Sequence, residues 1–321
     1  MPNKLNITKK TLKYFLAIFT LTLLGSVLIT RSAQITLLVT EYHTSILISA
    51  IIILLVALVI QKKQTDILRE NERLFQALQE KQAYIDRDMA MAHKIQQAIL
   101  DEPLPQPKGF AVAARCLPAE KIGGDFYNVS LIGNELHFFI GDVSGHGISS
   151  ALVMALAHGI MNEVITYLDS PAQILTMTNK VLHHYLKDSI NFVTLFYGKI
   201  NIKTKELTCC GAGHPPVLHF KKSGPLQLIS ARGAILGMFT RNSYKNTIKK
   251  LQGGDKLILY TDGFLECEAG NCQLGEKKFQ QIVKKHIKLP AEGLKDKLYE
   301  QISIESTKIK DDLSCIIIEI F

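Results

Sequence analysis

The 321-residue sequence has six cysteines but no Cys-x-x-Cys pair and no cysteine–histidine cluster at zinc spacing. A structural zinc module is thereby excluded, and Cys116, Cys209, Cys210, Cys267, Cys272 and Cys315 read as free thiols of a reducing compartment. Basic charge is scarce where a nucleic-acid partner would need it. The formal net charge is +8, but residues 1–63 hold seven lysines and arginines against one acid, which leaves 30 bases and 28 acids for the other 258 residues. A DNA or RNA partner loses its electrostatic footing. No Gly-x-Ser-x-Gly elbow surrounds Ser144 or Ser149, so neither reads as a nucleophile, and Ser149 suits the start of a helix.

The N-terminus has two long apolar runs, "YFLAIFTLTLLGSVLI" from Tyr14 and "ILISAIIILLVALVI" from Ile46. Flanking residues extend both toward the length that spans a bilayer. They predict a transmembrane hairpin in residues 1–63, with helices over about 12–30 and 43–60. Four lysines precede the first run and Lys62 and Lys63 follow the second, while the loop between carries only Arg31. The positive-inside bias puts both termini in the cytoplasm, on a two-pass protein of the bacterial inner membrane. A cleaved signal peptide is disfavoured because "TRSAQ" offers no small-x-small site.

Residues 64–103 are rich in Gln, Glu, Lys and Arg, with Ile67, Leu74, Leu78, Ile85, Ala92 and Ile99 spaced by seven or four. That is a coiled-coil seam, interrupted where Lys81 falls on it, and it predicts a helical arm that pairs with a second copy. An amphipathic helix packed on the following domain is the competing expectation. The prolines of "DEPLPQPKG" end the arm.

From Phe110 short apolar strands with glycine turns replace the helical pattern, while helical stretches cover Ser149–Leu168, Pro171–Lys187 and Glu276–Leu289. Strands in hairpins with helices in separate runs predict an α+β layered domain over residues 104–321. Four aspartates stand out: Asp125 in "GGDFYN", Asp142 in "IGDVSGHG", Asp262 in "LYTDGF" and Asp311 opening "DDLSCIIIEI". No lysine or arginine recurs beside them. Carboxylates gathered without a cation repel one another, and a divalent ion is what offsets this. Oxygen ligands favour Mg²⁺ or Mn²⁺ over zinc.

In order, "MAHKIQQAILDEPLPQ", "PAEKIGGDFYNV", "GDVSGHGISSALVMA", "TLFYGKI", "GAGHPPVLHF", "LGMF", "GGDKLILYTDGFLEC" and "DDLS" resemble the bacterial PP2C-type serine/threonine phosphatases of the SpoIIE and RsbU class. The resemblance covers about 90–321. It implies an αββα sandwich with two metal ions in a cleft at one end. Asp142 would bridge both ions, Asp262 and Asp311 would hold the first, and Asp125 with the Val143 carbonyl would hold the second. Catalysis would run through water activated by the ions. His146 is a candidate general acid, while His214 in "GAGHPP" reads as structural. Asn128 stands where the family usually has aspartate, which puts a further, weakly held ion in doubt. Asp312 remains an alternative to Asp311.

The resemblance further implies a phosphorylated STAS-domain anti-sigma factor antagonist as substrate, in a partner-switching pathway. A catalytically inactive pseudophosphatase that only binds its partner is the alternative function. A two-metal nuclease or nucleotide cyclase is disfavoured by the near-neutral soluble portion.

Overall fold

The computed structural model of the protein describes residues 12–23, 33–240, 242–269, 272–305 and 309–321. The chain divides into two compact units, Met1–Ala83 and Tyr84–Phe321. Helix α1 covers Leu12–Leu23, and the remainder of the first expected span, with the turn after it, lies outside the described residues. Helix α2 runs unbroken from Ala33 to Leu100. It has no glycine or proline over its length, so nothing at residues 61–64 stops the helix, and the second apolar run and the arm are one element. Ile51, Leu55, Leu58 and Ile60 are exposed on it, as are Ile67, Leu74, Leu78 and Ile85. Within α2 lies a segment apolar enough to cross a membrane.

The second unit contains two antiparallel five-stranded sheets. One has β1 (Phe110–Leu117), β12 (Leu313–Ile320), β9 (Lys256–Tyr260), β6 (Val217–Phe220) and β7 (Gln227–Ile229) in that spatial order. The other has β2 (Phe126–Ile132), β3 (Glu135–Val143), β4 (Val193–Asn201), β5 (Glu206–Ala212) and β8 (Thr247–Lys250). A two-stranded ribbon joins β10 (Glu268–Ala269) to β11 (Cys272–Gln273). Helices α3 (Ile148–Tyr167) and α4 (Pro171–Leu186) cover the second sheet, and α5 (Gly263–Glu266), α6 (Gly275–His286) and α7 (Ala291–Glu305) cover the first. The order of layers is αββα, as expected.

Strand alternation decides which side chains meet. In β3, Leu136, Phe138 and Ile140 face the other sheet, while Phe139 and Val143 face the helices. In β12, Ile316, Ile318 and Ile320 enter the inter-sheet core, while Cys315 and Ile317 pack under α7. Burying each such isoleucine or phenylalanine contributes about 1.5–3 kcal/mol. Helix α3 is also long and apolar enough to cross a membrane, but Met154, Ala157 and Met161 are buried against the second sheet. Cys116, Cys209, Cys210 and Cys315 are free thiols, and the Cys267 sulfur donates to the Gly263 carbonyl at 3.1 Å.

Candidate metal centre

The alternation that builds the core also places the acids. Asp142 is two residues beyond Ile140 in β3, so it points between the sheets at the end of the strand. Asp125 immediately precedes β2, in phase with Tyr127 and Val129, which also face inward. Thr261 and Asp312 continue the inward phases of Leu259 and Ile316 from the opposite sheet. Four chain segments therefore deliver polar groups to one end of the sandwich.

Their electrostatics are those of carboxyls crowded together. Burial, followed by the charges of Asp262, Asp311 and Asp312, pushes Asp142 up to about 8, although a hydrogen bond with Asp125 opposes the rise. Asp125 is raised well above the carboxylate range, first by burial and then by Asp142 and Asp312. Burial also raises Asp262 and Asp311, with Glu266 adding to the first and Asp312 and Asp262 to the second. Beyond burial, neighbouring carboxylates are the charges that raise all four, and a divalent cation is the partner that relieves them.

Asp311 and Asp312 have separable roles. Asp312 is buried, and its carboxylate accepts the backbone N–H groups of Ala119 at 2.8 Å, Gly124 at 2.6 Å and Asp125 at 3.2 Å. Its oxygens are thus engaged in holding the loop that ends in Asp125. Asp311 has an oxygen on the N–H of Asp312 at 2.8 Å. Two further residues, absent from the sequence-based candidates, shape the same loop. Thr261 donates its hydroxyl to Asp125 at 2.8 Å. Gln96, buried near the end of α2, donates to the Gly123 carbonyl at 2.7 Å and accepts the Gly123 N–H at 3.1 Å. No sequence signal marks Gln96, because its partner is a backbone.

The glycines answer to close approach. A Cβ on Gly124 would stand 2.8 Å from the Val143 carbonyl oxygen, and one on Gly263 would stand 1.9 Å from the Asp312 carbonyl. Glycine is what lets the GGD, GDV, TDG and DD segments meet.

A cleft of about 390 Å³ opens here, lined in part by Gly124, Gly145, His146, Lys310 and Asp311. His146 stands exposed on its rim, with Nδ1 3.7 Å from Glu120. His214 bonds Thr194 through Nδ1 at 3.1 Å, and desolvation holds it neutral, at about 3. Thr194 pairs with Asp142 across β3 and β4, so His214 supports the strand ends. Asn128 lies on β2 against α3, bonded to Asn162.

The donor set fits a hard divalent ion, being carboxylates with the Val143 carbonyl beside them. Among the described residues no group of three or more acid, histidine or cysteine side chains forms a finished cage, so an ion would have to draw these carboxylates together.

The family model for Stage II sporulation protein E (SpoIIE) matches residues 133–321, more than half of the chain. The chain belongs to the SpoIIE family. The match takes in Asp142, Asp262 and Asp311, and Asp125 lies just before it. Phosphoserine phosphatase RsbU of Bacillus subtilis (strain 168) is 27% identical over 245 residues, covering 76% of this chain and 73% of RsbU. The SiaA-PP2C domain of Pseudomonas aeruginosa superposes with a TM-score of 0.66 at 22% identity, over 75% of this chain and 98% of that domain. RsbX, solved in complex with magnesium, superposes with a TM-score of 0.53 at 17% identity, over 68% of this chain and 99% of RsbX. This SpoIIE-family chain is a PP2C-type protein serine/threonine phosphatase, and phosphatases of that type are metal-dependent.

Proposed function

We propose that the chain dephosphorylates phosphoserine or phosphothreonine on a STAS-domain anti-sigma factor antagonist, using two Mn²⁺ or Mg²⁺ ions, while anchored in the bacterial inner membrane by residues 1–63. The observation that carries the catalytic part is that Asp125, Asp142, Asp262 and Asp311 are brought to one end of the sandwich, where burial and neighbouring carboxylates raise them all.

Asp142 would serve both ions, Asp262 and Asp311 one, and Asp125 with the Val143 carbonyl the other. When bound, the ions supply Lewis acidity and lower the pKa of water, so no protein nucleophile is required. The chain's own residues organise the rest. Asp312 and Thr261 keep Asp125 in place. His146, on the cleft rim, would give a proton to the leaving serine oxygen. RsbU, a phosphoserine phosphatase by name, supports the reaction class.

The arm, residues 64–103, is proposed to pair with a second copy through Ile67, Leu74 and Leu78, which are exposed. Because Gln96 grips Gly123 two residues from Asp125, a change in the arm would reach the centre, and we assign the arm control of metal occupancy. Q96L should shift the Mn²⁺ concentration that gives half-maximal activity, and an unchanged value would contradict that control.

Phosphate release from a phosphoserine STAS protein, followed with and without Mn²⁺, tests the main proposal. Turnover that needs both the metal and Asp142 supports it. Tight binding of the phosphoprotein without release would favour the pseudophosphatase.

A further inference from the structure

Asn128 occupies a position where the resemblance implies an acid, and its contacts give it a different task. Its amide Nδ2 donates to Asn162 Oδ1 at 2.8 Å, and Asn162 Nδ2 lies 3.3 Å from His158 Nδ1. An amide nitrogen only donates, so His158 Nδ1 must accept and the ring proton belongs on Nε2. That nitrogen is buried without a hydrogen-bond partner. The chain of donors therefore leaves β2 at Asn128, crosses to Asn162 on α3 and ends on His158, one turn away on the same helix. Phe126 and Phe139 enclose the ring edge-on, with centroids 6.4 and 5.6 Å from that of His158, and desolvation holds His158 neutral, at about 4.

We infer that Asn128, Asn162 and His158 form a one-way hydrogen-bond relay that pins α3 to β2, making Asn128 a positioning residue for the acid centre and not a remnant of a metal site. The lever is short. Asn128 lies three residues after Asp125, and α3 begins after the short loop that follows Asp142 and Val143 at the end of β3. Loosening the relay lets the Asp125 and Asp142 loops shift relative to each other. An ionised aspartate at 128 would instead only accept. Asn162 would have to turn its amide round, and His158 would have to carry a proton on Nδ1.

The test uses the full chain, detergent-solubilised and labelled with ¹⁵N-histidine. In the wild type the His158 ring nitrogens should report the neutral Nε2–H form, and the Nδ1–H form would overturn the relay whatever any variant does. In N128D, at a pH where the introduced carboxyl is shown by its ¹³C shift to be ionised, the ring should gain an Nδ1 proton, a change that a merely structural role would not produce, and an unchanged ring spectrum there would overturn the inference. Mn²⁺ binding is read separately by calorimetry, which needs no turnover. N128L and N162A should weaken it roughly 10-fold, as loss of outer-shell partners does, and affinity within twofold of wild type for both would overturn the positioning role. The inference rests on the proposed metal centre only in this last measurement. Wild type that binds no Mn²⁺ would sink the metal centre and the positioning role, and the relay would still be decided by the ring nitrogens.

Discussion

The carboxylate of Asp312 accepts the backbone N–H of Gly124 at 2.6 Å, joining segments 188 residues apart. It separates two adjacent acids by function. Asp312 organises the loop that carries Asp125, and in the proposed centre Asp311, which lines the cleft beside it, is the one that would hold an ion.

D312A should therefore destabilise the domain by about 1–3 kcal/mol, the cost of stranding buried donors. D311N should leave stability nearly unchanged and abolish turnover. Thermal denaturation beside phosphatase assays checks both, and the opposite pattern would assign the ligand to Asp312.

Metal-free protein should lose stability as pH rises. Asp142 titrates at about 8 in the folded chain and near the ordinary value of about 3.9 when unfolded. Between those values the native state holds more protons than the unfolded state, so stability declines with increasing pH across that window. Mn²⁺ offsets the repulsion and displaces the protons. The rise in melting temperature on adding Mn²⁺ should therefore grow from about pH 5 to about pH 8. A response independent of pH would mean that the carboxyls are not coupled to the metal.

L74E with L78E should turn a dimer into a monomer in detergent solution, because a charge on the seam removes apolar burial and adds like-charge repulsion. Sedimentation gives the mass directly. A wild type that is already monomeric would leave the arm as an amphipathic helix without a second copy.

The unmodified chain should resist extraction from membranes by alkaline carbonate, and a chain that lacks residues 1–63 should be released. The exposed run around Ile51, Leu55 and Leu58 has no other apolar cover in the described first unit.

Much of this architecture was legible in the residues. "ELHFFIGDV" and "LSCIIIEI" carry the apolar content of buried strands, and the glycines beside the aspartates announce close approach. Strands β1 and β2 escaped because "FAVAARCL" and "FYNVSLI" mix small and polar residues that only tertiary packing buries. Helix α7 escaped for a similar reason. Gly293 and six charged side chains mask the stripe of Ala291, Leu294, Leu298 and Ile302 that packs under the first sheet. Asp312, Thr261 and Gln96 could not be assigned from spacing, because each acts through a group distant in the sequence. Asn128 looked like a lost ligand when aligned by motif, and its partner on α3 is visible only in three dimensions.

Anomalous diffraction at the manganese edge, from crystals of the chain grown with Mn²⁺, tests the metal centre most directly. Manganese peaks coordinated by Asp125, Asp142, Asp262 and Asp311, with Asp312 still on the Gly124 amide, are the predicted result. Manganese bound elsewhere, or these four carboxylates turned away from any ion, would contradict it.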